Sequence, residues 1–157
     1  GLSVAVPSAA EAAMTSRHEA ALDAILSALA PLAAQVMREE DLPVFCPPEG
    51  LVNLVPEDPE EEGQQLGTGI REWSRPVELE CVVQAAEGPA RAAALDMLLS
   101  QVAALLLADR SLGGMVSWLE PGAPQASDTV PMEGAESLKG AVLPVTLYYE
   151  TPQNPME

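Results

Sequence analysis

Apolar residues recur at helical spacing through Leu22, Ile25, Leu26, Leu29, Leu32, Ala33, Val36 and Met37, leaving Glu19, Asp23, Ser27 and Arg38 on the other side. This stripe predicts an amphipathic helix over roughly 16–39. Thr15 or Ser16 can cap it, and Glu19 stands at capping-box spacing from Ser16. Pro31 removes one backbone donor inside the pattern. Because the stripe continues past it, a kink is expected rather than an end.

A proline-rich connection, Asp41 to Gly50, leads to an apolar run, Leu51 to Val55, that reads as a strand. Pro56 to Gly63 has no apolar periodicity and reads as a solvated loop. Residues 70–84 then alternate: Trp73, Val77, Leu79, Cys81 and Val83 on one parity, Glu72, Ser74, Glu78, Glu80 and Gln84 on the other. That is a strand with one buried and one exposed face, able to form a hairpin with 51–55 that carries a long acidic tip. Pro76 points to an edge position or a bulge.

Gly88-Pro89 opens a second helix, with proline where its missing donor costs little, running through Leu95, Leu98, Leu99, Val102, Leu105 and Leu106 to about Asp109. It is apolar around most of its circumference, which predicts burial between a sheet and another surface. Gly113-Gly114 supplies the stop, and Met115–Glu120 reads as a strand. Pro121–Gly140 reads as a long loop with at most a helical turn near 135–138. Val142–Tyr149 closes the domain as a strand in which Pro144 again suggests an edge or bulge. The expected fold is α+β in the order α-β-β-α-β-β, a mainly antiparallel sheet with two helices on one face. No internal repeat is evident. Residues 1–13 are expected to be a loose arm or tag remnant, 14–150 a single domain and 151–157 a C-terminal tail.

Composition narrows the function. The chain has 157 residues, of which 48% are apolar, and a formal charge of −17. A core of useful size is affordable, and disorder of the whole chain is not expected. Such acidity argues against gripping nucleic acid through phosphates or docking on anionic lipid, both of which need clustered Lys and Arg. The charge is concentrated: between Glu39 and Glu62 there is no Lys or Arg. The most apolar stretch, 92–108, contains Asp96, Ser100 and Gln101 and is shorter than the ~20 residues of a membrane span, so a soluble protein is expected. Cys46 and Cys81 are too few for a disulfide scaffold or a four-ligand zinc site, and both are expected to be free thiols.

Candidate chemistry is sparse. His18, the only histidine, reads as an ordinary surface residue with no cysteine or serine fixed beside it. Cys81 lies on the apolar parity of its strand, where an inert core thiol belongs. The run Glu57, Asp58, Glu60, Glu61 and Glu62 lacks the ligand spacing of a calcium loop and reads as a repulsive solvated segment. Gly67-Thr68-Gly69 has neither the lysine nor the glycine spacing of a phosphate loop. Glu78 and Glu80 read as a charged strand face rather than an acid–base pair. No catalytic set, cofactor site or metal site is expected.

Two segments carry a resemblance. The turn containing Asp109, Arg110, Gly113 and Gly114 before Trp118, and the run with Lys139 leading to Pro144 in the final strand, resemble small tail terminator (tail completion) proteins of long-tailed phages. Some members of that group are labelled acyl-CoA transferases. The resemblance covers roughly 16–150, and its motifs mark a turn and a strand rather than an active site. It implies a virion protein, assembled in the host cytoplasm, forming a ring usually of six subunits. The ring would cap the head-proximal end of the tail tube, stop polymerisation and meet the head connector. Its partners would be further copies of itself, the tube protein and a connector or stopper protein, with DNA as transiting cargo. On that view Glu57, Asp58, Glu60, Glu61, Glu62, Glu78 and Glu80 are candidates for a lumen or connector-facing surface. The alternatives are another neck component, such as a head–tail stopper, and a non-viral α+β protein-binding module.

Overall fold

A computed structural model describes residues 15–38, 46–126 and 137–157. The expectations for 1–13, for residues 41–45 of the 41–50 connection and for a helical turn at 135–136 lie outside these. Helix α1 spans Arg17–Leu29, and the Ser16 hydroxyl accepts from the Glu19 amide as its N-cap. The helix does not continue to 39. Pro31 cannot donate to the Ser27 carbonyl, which instead accepts from Ala30 at 3.2 Å in a tighter closing turn. Residues beyond it form strand β1 (Gln35–Arg38). Val36 still faces the core from a strand, which is why the apolar stripe outlives the helix.

The remaining elements are β2 (Leu51–Pro56), β3 (Glu60–Gln64), β4 (Arg71–Gln84), helix α2 (Gly88–Ala108), β5 (Trp118–Pro121), β6 (Gln125–Ala126) and β7 (Leu138–Thr151). They form a seven-stranded sheet in the order β1-β2-β4-β7-β5, with β3 on β4 and β6 on β7. Every pairing is antiparallel except β1 with β2. Both helices pack on one face, so the expected α+β class and layer arrangement hold, with β1, β3 and β6 as additions. Pro56 ends β2, and half of the expected 56–63 loop, residues 60–63, is β3. Backbone pairing with β4 holds it, although neither side of it is apolar. The hairpin tip is therefore not acidic; it is the uncharged Gln65–Ile70 turn. The expected 115–120 strand starts only at Trp118, and Leu138 belongs to β7.

Pro76 and Pro144 lie in β4 and β7, the two central strands, not at an edge. Their carbonyls accept from the Glu57 amide (2.9 Å) and the Gly122 amide (2.7 Å). In an antiparallel ladder a residue's N–H and C=O point to the same side. Each missing donor therefore faces the gap where the flanking strand is interrupted, at 57–59 for β2/β3 and 122–124 for β5/β6.

These two sites are equivalent by a pseudo-two-fold axis through the Val77↔Val145 pair. Pro56 pairs with Val77 as Pro121 pairs with Val145; Leu54 pairs with Leu79 as Leu119 pairs with Leu147. The sequence carries the repeat after all. Leu54-Val55-Pro56-Glu57-Asp58-Pro59 matches Leu119-Glu120-Pro121-Gly122-Ala123-Pro124, and Pro76-Val77-Glu78-Leu79 matches Pro144-Val145-Thr146-Leu147.

The core lies between the sheet and the helices. Leu22, Ile25 and Leu29 of α1 and Leu95, Leu98, Val102 and Leu106 of α2 meet Leu54, Val77, Leu79, Val145 and Leu147. Each fully buried Leu or Val contributes about 1.5–3 kcal/mol relative to exposure. The described residues cover α2 on the sheet side only, leaving Met97 62% and Leu107 47% exposed. Helix α2 has 21 residues, and its most apolar 18 average a mean hydropathy of 1.5, long and apolar enough to cross a membrane, although its other side is built into the domain core.

Candidate functional site

Strand alternation sends every second side chain of β4 and β7 away from the helices. On this helix-free face Glu72, Ser74, Pro76, Glu78 and Glu80 of β4 lie opposite Glu150, Tyr148, Thr146, Pro144 and Val142 of β7. Register then fixes a row across four strands, Glu60–Ser74–Tyr148–Trp118. At about 4.8 Å per strand, Glu60 and Trp118 stand about 14 Å apart at the backbone. Between them is a concavity of about 570 Å³ rimmed by Glu60, Glu62, Glu72 and Glu150 and floored by Ser74 and Tyr148. Glu62 accepts a short hydrogen bond from the Ser74 hydroxyl. Tyr148 is 41% and Trp118 45% exposed.

The acidic candidates thus separate. Glu60 and Glu62 join the concavity, while Glu78 and Glu80 lie half-buried farther along the same face. Glu61 turns away to pair with Arg71 at 2.9 Å. Glu57 and Asp58 sit exposed in the β2–β3 interruption, where the Glu57 carbonyl accepts from Arg75. The sequence placed Glu72 on the exposed parity without making it a candidate, and Glu150, Tyr148 and Glu120 were not singled out. Parity within 142–150 could have found Tyr148 and Glu150, but only register brings them beside Glu72.

The motif residues from the turn form a self-contained unit. The Asp109 carboxylate accepts from the Gly113 amide (2.7 Å) and the Ser111 hydroxyl (2.9 Å). These bonds hold its pKa below the usual aspartate value. Leu112 (φ 50°), Gly113 (φ 70°) and Gly114 (φ 87°) follow in left-handed backbone, a run in which two glycines relieve the strain. Arg110 then reaches the helix-free face. Its guanidinium stacks 3.8 Å from the Trp118 ring centroid and pairs with Glu120, which also accepts from Trp118 Nε1. Lys139 and Pro144 stand apart on β7, paired with Val83 and Glu78.

His18 is buried, not a surface residue. Nε2 lies 2.8 Å from the Pro155 carbonyl, which can only accept, so Nε2 donates there, and Nδ1 shares a 2.6 Å hydrogen bond with the Tyr149 hydroxyl. Trp73 and Tyr149 pack edge-on against the ring. With Trp73 donating to Thr151 and Arg71 to the Gln153 carbonyl, this cluster latches 152–157 onto the domain, and the expected boundary at 150/151 falls inside β7. Burial raises the Tyr149 pKa, with Arg75 opposing it.

Cys81 lies in the core and Cys46 on the opposite face against Leu51 and Val82, so the sheet separates the two thiols. Burial raises both pKa values, that of Cys81 to about 12. Cys81 is eight residues along β4 from Trp73, about 27 Å at the rise of a strand, which keeps it from pairing with His18. Among the described residues no group of His, Cys, Asp and Glu is arranged to hold a metal ion. A second hollow, about 680 Å³, lies between α1 and the Asp109–Met115 turn.

Comparison with protein-family models gives no match, and comparison with curated proteins gives none either.

Proposed function

We propose that this protein is a structural virion subunit of a long-tailed phage. It closes into a ring, of six copies on the strength of the resemblance, that caps the head-proximal end of the tail tube and joins it to the head connector. In this reading it is not an enzyme and needs no cofactor. Its partners are its own copies, the tube protein and a connector protein, and DNA passes through the lumen. It assembles in the host cytoplasm and resides in the virion.

One observation carries the reading. The outer side of α2 presents Ala93, Met97, Ala104 and Leu107 around Ser100, and the whole helix bears only Arg91 and Asp96 as charges. In a chain of net charge −17, that is a surface where copies can meet with a single carboxylate, Asp96, at the border. The helix-free acidic face lies across the sheet from it. A head-to-tail contact using α2 closes into a ring and leaves that face for a lumen or connector. There its charge repels phosphate rather than retaining it.

Mass in solution and electron microscopy, alone and with tail tubes of the same phage, test this. Rings, or capped tubes of fixed length, are expected, and Met97→Glu should abolish them. A monomer at high concentration that leaves tubes uncapped refutes the proposal; binding to the portal-side adaptor instead of the tube would mark a stopper.

A further inference from the structure

The fold already contains a small recognition site for a guanidinium, and its own Arg110 fills it. The ring of Trp118 lies under the cation and Glu120 takes the charge, while both aromatic and carboxylate stay exposed. One step along the same cross-strand row the arrangement recurs without an occupant from the described residues. Tyr148 pairs with Trp118 across β7 and β5, and its ring stands in the 570 Å³ concavity with Glu62, Glu72 and Glu150 at the rim. The strand residues of this face carry no Lys or Arg: the arginines of β4, Arg71 and Arg75, point to the helix side or the strand end, where they bond Glu61, Gln153 and Glu57.

We propose that this concavity binds an extended, arginine-bearing segment of another protein, with one guanidinium stacked on Tyr148 and held by Glu62, Glu72 and Glu150. Three features select this occupant. An aromatic face with a ring of carboxylates attracts cations and repels anions, which excludes nucleic acid and acidic peptides. A planar guanidinium can stack and bond in-plane at once, as Arg110 does, whereas an ammonium offers only a point charge. The concavity lies along sheet strands, so an extended chain laid across it sets alternate side chains into the rim. Ser74 is already committed to Glu62, which holds that carboxylate at the rim. The inference does not rest on ring formation: a monomer can carry this site, and a ring can lack it.

The probe is a nine-residue Gly/Ser peptide containing three arginines, titrated calorimetrically at low and moderate salt, with the same peptide carrying citrulline or lysine as comparison. Arginine peptide should bind, citrulline peptide should not, and lysine peptide should bind more weakly. Tyr148→Leu should lower affinity about fivefold or more, the scale of a partly exposed cation–π contact, while Tyr148→Phe retains it. Glu72→Gln with Glu150→Gln should weaken binding further, and Asp23→Asn with Asp96→Asn, on the helix side, should leave it unchanged. Circular dichroism confirms that each variant is folded. Equal binding of the citrulline peptide, equal losses from helix-side and sheet-side acids, or no effect of Tyr148→Leu would each overturn the proposal.

Discussion

Replacing His18 should loosen the domain and free its C-terminal segment together. His18→Leu removes two hydrogen bonds, to Tyr149 and to the Pro155 carbonyl, and two edge-on ring contacts. Each bond contributes about 1 kcal/mol net. Each aromatic contact adds about 0.5–1 kcal/mol beyond burial. The Tyr149 hydroxyl keeps Arg75 nearby and the Pro155 bond is only part-buried, so the full penalty for stranded buried groups does not apply. The expected loss is about 3 kcal/mol for His18→Leu and about 2 kcal/mol for His18→Phe, which retains ring packing. Urea denaturation followed by tryptophan fluorescence measures the loss, and amide exchange over 152–157 should rise in both variants. Two variants within about 0.5 kcal/mol of wild type, with unchanged exchange, would refute the claim that this cluster is a latch.

Three further outcomes are expected. Both thiols should resist a disulfide reagent at pH 8 in the native state and react in denaturant, because at a pKa of about 12 only about one Cys81 in ten thousand is ionised; rapid native labelling would contradict the assigned burial. Gly50→Ala should cost more than about 1 kcal/mol in denaturation, since φ is +89° and the new Cβ would stand 3.0 Å from the Val82 carbonyl oxygen; a neutral effect would show that the turn can relax. Asp109→Asn should lower the melting temperature near neutral pH. Because the folded-state pKa of Asp109 is depressed, its contribution is present above the ordinary aspartate range and lost as pH falls through the folded value, so wild type and variant should converge in acid.

How much of this was legible depended on whether packing or pairing decided the outcome. The alternation in 70–84 correctly placed Cys81 in the core and Glu78 and Glu80 on the other face, because β4 buries one side. Gly88-Pro89 correctly opened α2 for reasons local to the chain. The end of α1 was misplaced because Leu32 and Val36 still pack against the core after the chain becomes a strand, so periodicity could not see Pro31 end the helix. β3 was missed because Glu60–Gln64 buries neither face; backbone bonds to β4 alone define it. The concavity was invisible for a similar reason. Glu62, Glu72, Tyr148 and Glu150 have no common spacing, and register alone aligns them.

The pseudo-two-fold relation gives the chain an internal reference. Positions that match across it, such as Leu54 with Leu119 and Pro76 with Pro144, are those the architecture requires twice. Positions that differ are free of that requirement, and the strand breaks are where the difference in charge is plainest. Opposite Glu57-Asp58 stand Gly122-Ala123, and where one half continues into the glutamates of β3 the other continues into Gln125-Ala126. At the strand breaks, one half is acidic and the other uncharged on the same framework. Exchanging the two strand breaks would therefore separate what the sheet needs from what its partners read.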